Sequence, residues 1–155
     1  MSLRNTTLLA VAVLMAAGPA LAEEWRKVSV DATTGAVKGI DAASISGPEN
    51  ARSANIALIN KQAVVMQNVA IEYSVDRREI DCVRRTIATR HLALYSATGL
   101  LQEVDITTPA TAITPNSVGE TLANAICKRV WLATPAPVNS AAEFFRTQRA
   151  AQLGK

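Results

Sequence analysis

Histidine is nearly absent: the 155-residue sequence holds one, His91. General acid–base schemes and most transition-metal sites lean on imidazole, so both lose their commonest group. Aromatic residues are scarce too, at 4%, with two each of Trp, Tyr and Phe. There is no Gly-x-Ser-x-Gly elbow, His-Glu-x-x-His pair, phosphate-binding glycine loop or Cys-x-x-Cys. The chain therefore reads as non-enzymatic, with no catalytic residue, no metal and no cofactor expected; carboxylate-only chemistry is the least excluded alternative. Charge of one sign is lacking as well. The formal net charge is +3, too near zero for a broad nucleic-acid surface.

Long apolar runs are missing everywhere but at the start. Leu8 to Ala17 is an uncharged apolar run of ten residues, preceded by Arg4 and followed by Gly18-Pro19 and then Ala20-Leu21-Ala22. That is the three-part layout of a secretory signal, with Ala20 and Ala22 as the small residues a signal peptidase admits. Ten residues fall short of the roughly 20 that a membrane span needs. No cysteine stands at the cleavage point, so no lipid anchor is expected. Cleavage after Ala22 predicts a mature chain of 133 residues beginning at Glu23, and losing Arg4 leaves 15 basic residues against 13 acidic, a net +2. The expected organisation is a signal peptide over 1–22, one domain over 23–132, and a linker and tail helix over 133–155. The expected location is periplasmic or secreted, with no membrane span.

Two cysteines, Cys82 and Cys127, fall in the mature part. In an oxidising compartment an even pair points to a disulfide. Two free thiols or a metal site are the alternatives, and a metal would want further ligands beyond His91.

Along the chain, Glu24–Val30 is strand-like, Asp31–Gly35 a turn, and Ala36–Ile40 extended, with Asp41 placed to cap one helical turn. Arg52–Asn60 and Val64–Val75 read as strands, the second with Val69, Ile71, Tyr73 and Val75 on one face. Asp76-Arg77-Arg78-Glu79 reads as a polar reversal, and Ile80–Tyr95 as one long strand carrying Cys82. Ala97-Thr98-Gly99 turns it into Leu100–Ile106, completing an antiparallel meander. Pro109–Pro115 is a loop. Ser117-Val118-Gly119-Glu120 fits a capping box, with Val118, Leu122, Ala125 and Ile126 as the apolar stripe of a helix that ends near Cys127. A disulfide would pin that helix across the sheet.

Ala133–Pro137 is linker-like. Ser140-Ala141-Ala142-Glu143 caps a tail helix reaching about Leu153, whose stripe is poor, with Phe144 and Phe145 adjacent. It reads as a loosely attached terminus, the alternative being a helix that docks a partner. The fold class is α+β: an antiparallel sheet of about six strands, a packed helix and a tail helix.

The densest basic region is Arg77, Arg78, Arg84, Arg85, Arg90 and His91. It is a candidate patch for sulphated glycan, anionic lipid or an acidic partner; as a plain solvated face, Asp76, Glu79 and Asp81 would neutralise half of it. His91 and Tyr95 share a strand face and could ligate haem or metal, but no second His completes such a site, and a partly buried, hydrogen-bonded His91 is expected. Trp25 and Trp131 read as core anchors.

Trp25, Gly39-Ile40-Asp41-Ala42-Ala43-Ser44-Ile45, Tyr73 before Asp81-Cys82, Tyr95 followed by Gly99, Thr114-Pro115-Asn116-Ser117 and the helix ending in Cys127 occur in one order that resembles the surface-adhesin protein E family. The likeness spans roughly residues 24–128. It implies about six antiparallel strands packed with a helix tied back by a Cys82–Cys127 bond, and a fold able to self-associate. The family takes its name from an adhesin of host matrix proteins such as vitronectin and laminin. A protein partner in the envelope or outside the cell is therefore expected, with a homodimer among the expectations and no nucleic acid. A periplasmic accessory protein that docks another envelope protein through the tail helix is the alternative.

Overall fold

The computed structural model describes residues 22–131 and 136–154. Most of the expected signal, Ala20 included, and part of the expected linker lie outside them. Seven strands form one antiparallel sheet: β1 (Trp25–Val30), β2 (Val37–Asp41), β3 (Ala51–Met66), β4 (Val69–Asp81), β5 (Thr86–Ser96), β6 (Gly99–Asp105) and β7 (Thr111–Ala112). The first six lie side by side in chain order, and β7 pairs with β5. Two helices follow, α1 (Val118–Lys128) and α2 (Ala141–Leu153).

Turn chemistry explains the early corners. The Asp31 carboxylate accepts from the amides of Thr33 and Thr34 at 2.9 and 2.7 Å. Asp41 accepts from Ala43 N–H at 3.1 Å, capping the single 3-10 turn at 42–44, and also ties down Glu24 N–H at 2.7 Å. Three corners differ from the sequence reading. The run Val64–Val75 is not one strand: Gln67 and Asn68 take φ of 48° and 65°, the pair of positive values a two-residue hairpin turn requires. Residues 76–79 do not reverse the chain but run inside β4. Their charges are met laterally, Asp76 by Arg78 on the same strand and Glu79 by Arg90 across the ladder. The real reversal is at 82–85, where Asp81 accepts from Val83 and Arg84 N–H at 3.0 and 2.7 Å and Arg85 sits at φ 57°. The run Ile80–Tyr95 is therefore two strands, and Cys82 lies in the turn between them.

Alternation along the strands sends neighbours to opposite faces. On one face, Val28, Ile40, Ala54, Ile56 and Ile80 bury against Leu122, Ala123, Ala125 and Ile126 of α1. On the other, Trp25, Val37, Ala57, Ile59 and Tyr73 bury against Phe144 and Phe145 of α2. Ile56 and Ala57, adjacent in sequence, thus belong to different cores. Ser117 caps α1 by accepting from Glu120 N–H at 3.2 Å, and Glu120 reaches back to Asn116 N–H at 2.8 Å. Cys82 and Cys127 form a disulfide with their Cα atoms 5.8 Å apart, fixing the end of α1 to the β4–β5 turn.

The tail helix is not loosely attached. Phe144 and Phe145 are 2% and 9% exposed, and Val138 makes an antiparallel bridge to Trp25. Ser140 caps α2 through Glu143 N–H at 3.1 Å. Between Ile59 and Val64 the β3–β4 register slips, and the carbonyls of Asn60 and Lys61 released there accept from Arg149, which also pairs with Glu72. A poor apolar stripe suffices because two adjacent rings and one arginine do the docking.

Candidate functional site

α2 covers only part of its face of the sheet. Farther along β3, β4 and β5 the same face is open and forms a groove of about 480 Å³. Its polar wall is built from Ser53, Glu79, Asp81, Arg84 and Arg90, and Ser46 in the turn before β3 adds a hydroxyl. The Ser46 and Ser53 hydroxyls lie 3.0 Å apart, and Arg77 donates to both, at 3.3 and 2.9 Å. Arg90 Nε donates to Glu79 at 2.7 Å and its Nη1 to the Thr108 carbonyl at 3.2 Å. The Arg84 side chain is 85% exposed, with Asp81 at 4.0 Å. Arg52, opposite Ile80 on β4, is on the other face of the sheet with Ala54 and Ile56, and its buried Nε has no hydrogen-bond partner among the described residues.

The expected basic patch is thereby divided. Arg84 and Arg90 line the groove and Arg77 adjoins it through the serines. Arg78 and Arg85 face away: Arg78 pairs with Asp76, and Arg85 reaches Glu120 and Asn124 of α1 at 2.8 and 3.4 Å. Lys38 lies near the Asp76–Arg78 pair, and its ammonium is held below its ordinary 10.5, first by burial and then by the Arg78 charge.

His91 Nδ1 lies 2.8 Å from Asp105, and its Nε2 is 3.9 Å from Glu103, so it is hydrogen-bonded and partly exposed. Tyr95 is engaged elsewhere, stacked on Tyr73, and among the described residues no three His, Cys, Asp or Glu side chains cluster to hold a metal ion. Trp25 is a core anchor at 2% exposure, whereas Trp131 packs at the edge of the α1 core with the Arg26 guanidinium 5.5 Å over its ring.

A second feature is the sheet edge. At one side β1 is bridged by Val138. At the other, all of β6 is exposed, including Leu100, Leu101 and Val104 at 51, 41 and 41%. No described strand pairs with its outer side. An open edge offers a row of backbone donors and acceptors to another extended chain.

The sequence model of the surface-adhesin protein E family matches residues 25–128. No curated protein matches the chain. Among solved structures, the crystal structure of protein E from non-typeable Haemophilus influenzae is similar at 10% identity, with 83% of this chain and 88% of that chain covered and a TM-score of 0.42.

Proposed function

The chain belongs to the surface-adhesin protein E family, and from that premise we propose that it is an exported, non-enzymatic binding module that captures a protein partner by strand addition along β6. The observation that carries this reading is the fully exposed edge strand with its apolar residues Leu100, Leu101 and Val104. In strand addition the main-chain ladder supplies affinity and alternate side chains supply selectivity. Glu103 and Asp105 on the same strand discourage indiscriminate pairing, as charges on natural edges do.

Export rests on the signal pattern of residues 1–22 and is consistent with the Cys82–Cys127 disulfide, a bond of oxidising compartments. The alternative, an accessory protein docking through the tail helix, has less to support it, since Phe144 and Phe145 face this chain's own sheet.

The test is binding of the mature chain to immobilised matrix proteins and to envelope extracts, comparing wild type with L101K/V104K. Loss of capture by the variant, together with hydrogen-exchange protection of β6 amides in the complex, is the expected result. Equal capture by both proteins removes β6 from the binding surface.

A further inference from the structure

We propose that the tip of the β3–β4 hairpin is a contact for an anionic phospholipid surface. The site stands apart from the β6 edge and rests on different observations. β2 runs beside β3 only as far as Ile59, and β5 beside β4 only as far as Tyr73. Beyond them Val64↔Ile71, Val65↔Ala70 and Met66↔Val69 continue as a two-stranded ribbon. Such a ribbon is marginal in water unless something packs on it. Pairing and alternation put Val64, Met66, Val69 and Ile71 on one of its faces and Val65 and Ala70 on the other. Val64, Val65, Met66 and Val69 are all exposed. A flat protein surface covers one face of a ribbon, whereas a lipid layer covers both. No charged residue lies between Lys61 and Glu72, so the ribbon lacks the charges with which natural proteins blunt exposed strands.

Charge at the root of the ribbon selects the surface. Two cavities flank it, one bearing Lys27 and Lys61 and the other Lys61 beside Gln62 and Val64, and no carboxylate lines either. Arg149, a third cation there, is matched by Glu72. Lysines beside an inserted apolar segment meet anionic headgroups. Three residues of strand reach about 10 Å, the depth of the boundary between headgroups and acyl chains. The amides of Gln67 and Asn68 hold the turn at that boundary, because burying them unpaired in hydrocarbon is costly. No helix among the described residues is long and apolar enough to cross a membrane, so the contact is made at the surface.

Flotation of the mature chain tests this, with vesicles of phosphatidylcholine alone and of phosphatidylcholine mixed equally with phosphatidylglycerol. Binding to the mixed vesicles is expected, weakening with salt. Val65→Ser/Met66→Ser and, separately, Lys61→Glu should each weaken it by about tenfold. Val83→Ser, at a residue 74% exposed in the turn at the opposite end of β4, should bind as wild type. A tryptophan introduced by Val65→Trp should shift its emission to the blue on the vesicles and be quenched by brominated lipid. The proposal is overturned if the mixed vesicles do not bind, if Val65→Ser/Met66→Ser binds as wild type, or if neutral vesicles bind equally. It is also overturned if a protein or a second copy of the chain protects the ribbon's amides from exchange while vesicles do not.

Discussion

Tyr73 and Tyr95 stand opposite each other on β4 and β5 with ring planes 3° apart and centroids 4.5 Å apart. Phe145 of α2 stacks on the far side of Tyr73 at 4.8 Å. The three rings join two central strands to the tail helix. Burial, and then mutual repulsion of the ionised forms, holds the Tyr73 phenol above its ordinary value of 10.0; for Tyr95, burial is again the first cause, followed by Glu103. In the unfolded chain both ionise at the ordinary value, so above it the unfolded state binds fewer protons. Their contribution to stability is complete below pH 10.0 and is lost as pH rises through the folded values. Lys38 works in the opposite direction, because its lowered value makes the fold more stable as pH rises towards 10.5. Urea midpoints taken across the alkaline range should therefore fall above pH 10, and the Tyr73→Phe/Tyr95→Phe variant should flatten that fall. An unchanged alkaline profile in the double variant would show that the phenols are not the cause.

Gly39 is the place where the sheet admits α2. A Cβ there would lie 2.3 Å from Phe144 Cε1 and 2.4 Å from Cζ, with the Arg26 carbonyl at 3.1 Å. The backbone needs no unusual φ, so the demand is for space alone. Gly39→Ala should destabilise the fold by about 1–3 kcal/mol, the usual range for overpacking. In a Phe144→Leu background the extra loss should shrink, because the ring is the obstacle. Equal penalties in both backgrounds would place the strain elsewhere.

Most strands, both helix starts and the bracing of α1 were legible because each rests on local chemistry: alternation, an Asp or Ser cap, a Gly or Pro turn. What escaped was decided across the sheet. Asp76 to Glu79 look like a reversal until Arg90, eleven residues on from Glu79, is placed beside them. Asp81 to Arg85 do not advertise a turn, since no glycine marks it and Arg85 adopts the positive φ instead. The groove was half visible: Arg77, Arg84 and Arg90 cluster in sequence, but alternation together with the turn sends Arg78 and Arg85 to the other face. The docking of α2 was hidden because its apolar content is two adjacent rings, a pattern that carries no helical period.

The disulfide closes a separation of 45 residues, which in the chain-entropy account restricts the unfolded state by about 4 kcal/mol. Cys82→Ser/Cys127→Ser should lower the unfolding free energy by about 2–5 kcal/mol, and reductant should lower the wild type by the same amount. Hydrogen exchange should report the loss first in α1, whose last turn the bond anchors. A double variant within about 0.5 kcal/mol of wild type, the range of neutral surface changes, would mean that packing of Leu122 and Ile126 alone holds the helix.

The β3–β4 hairpin turns through Gln67 and Asn68, neither of which is glycine, at φ of 48° and 65°. Left-handed backbone is disfavoured for residues with a Cβ, Asn least among them, and two-residue hairpins favour Asn-Gly for that reason. The tip gains little from packing, since Val64, Val65, Met66 and Val69 are 46, 68, 57 and 44% exposed. Turn strain at this tip is therefore not masked by a core. Asn68→Gly should stabilise the hairpin by about 0.5–1 kcal/mol, with added entropy of the unfolded chain offsetting part of the relieved strain. Asn68→Val, β-branched at a positive φ, should cost about 1–2 kcal/mol. Both effects should be read as hydrogen-exchange protection of the amides of Val64 to Ile71, with the α1 core as an internal reference. If Asn68→Gly loosened the tip while Asn68→Val left it unchanged, the turn would have to lie at different residues.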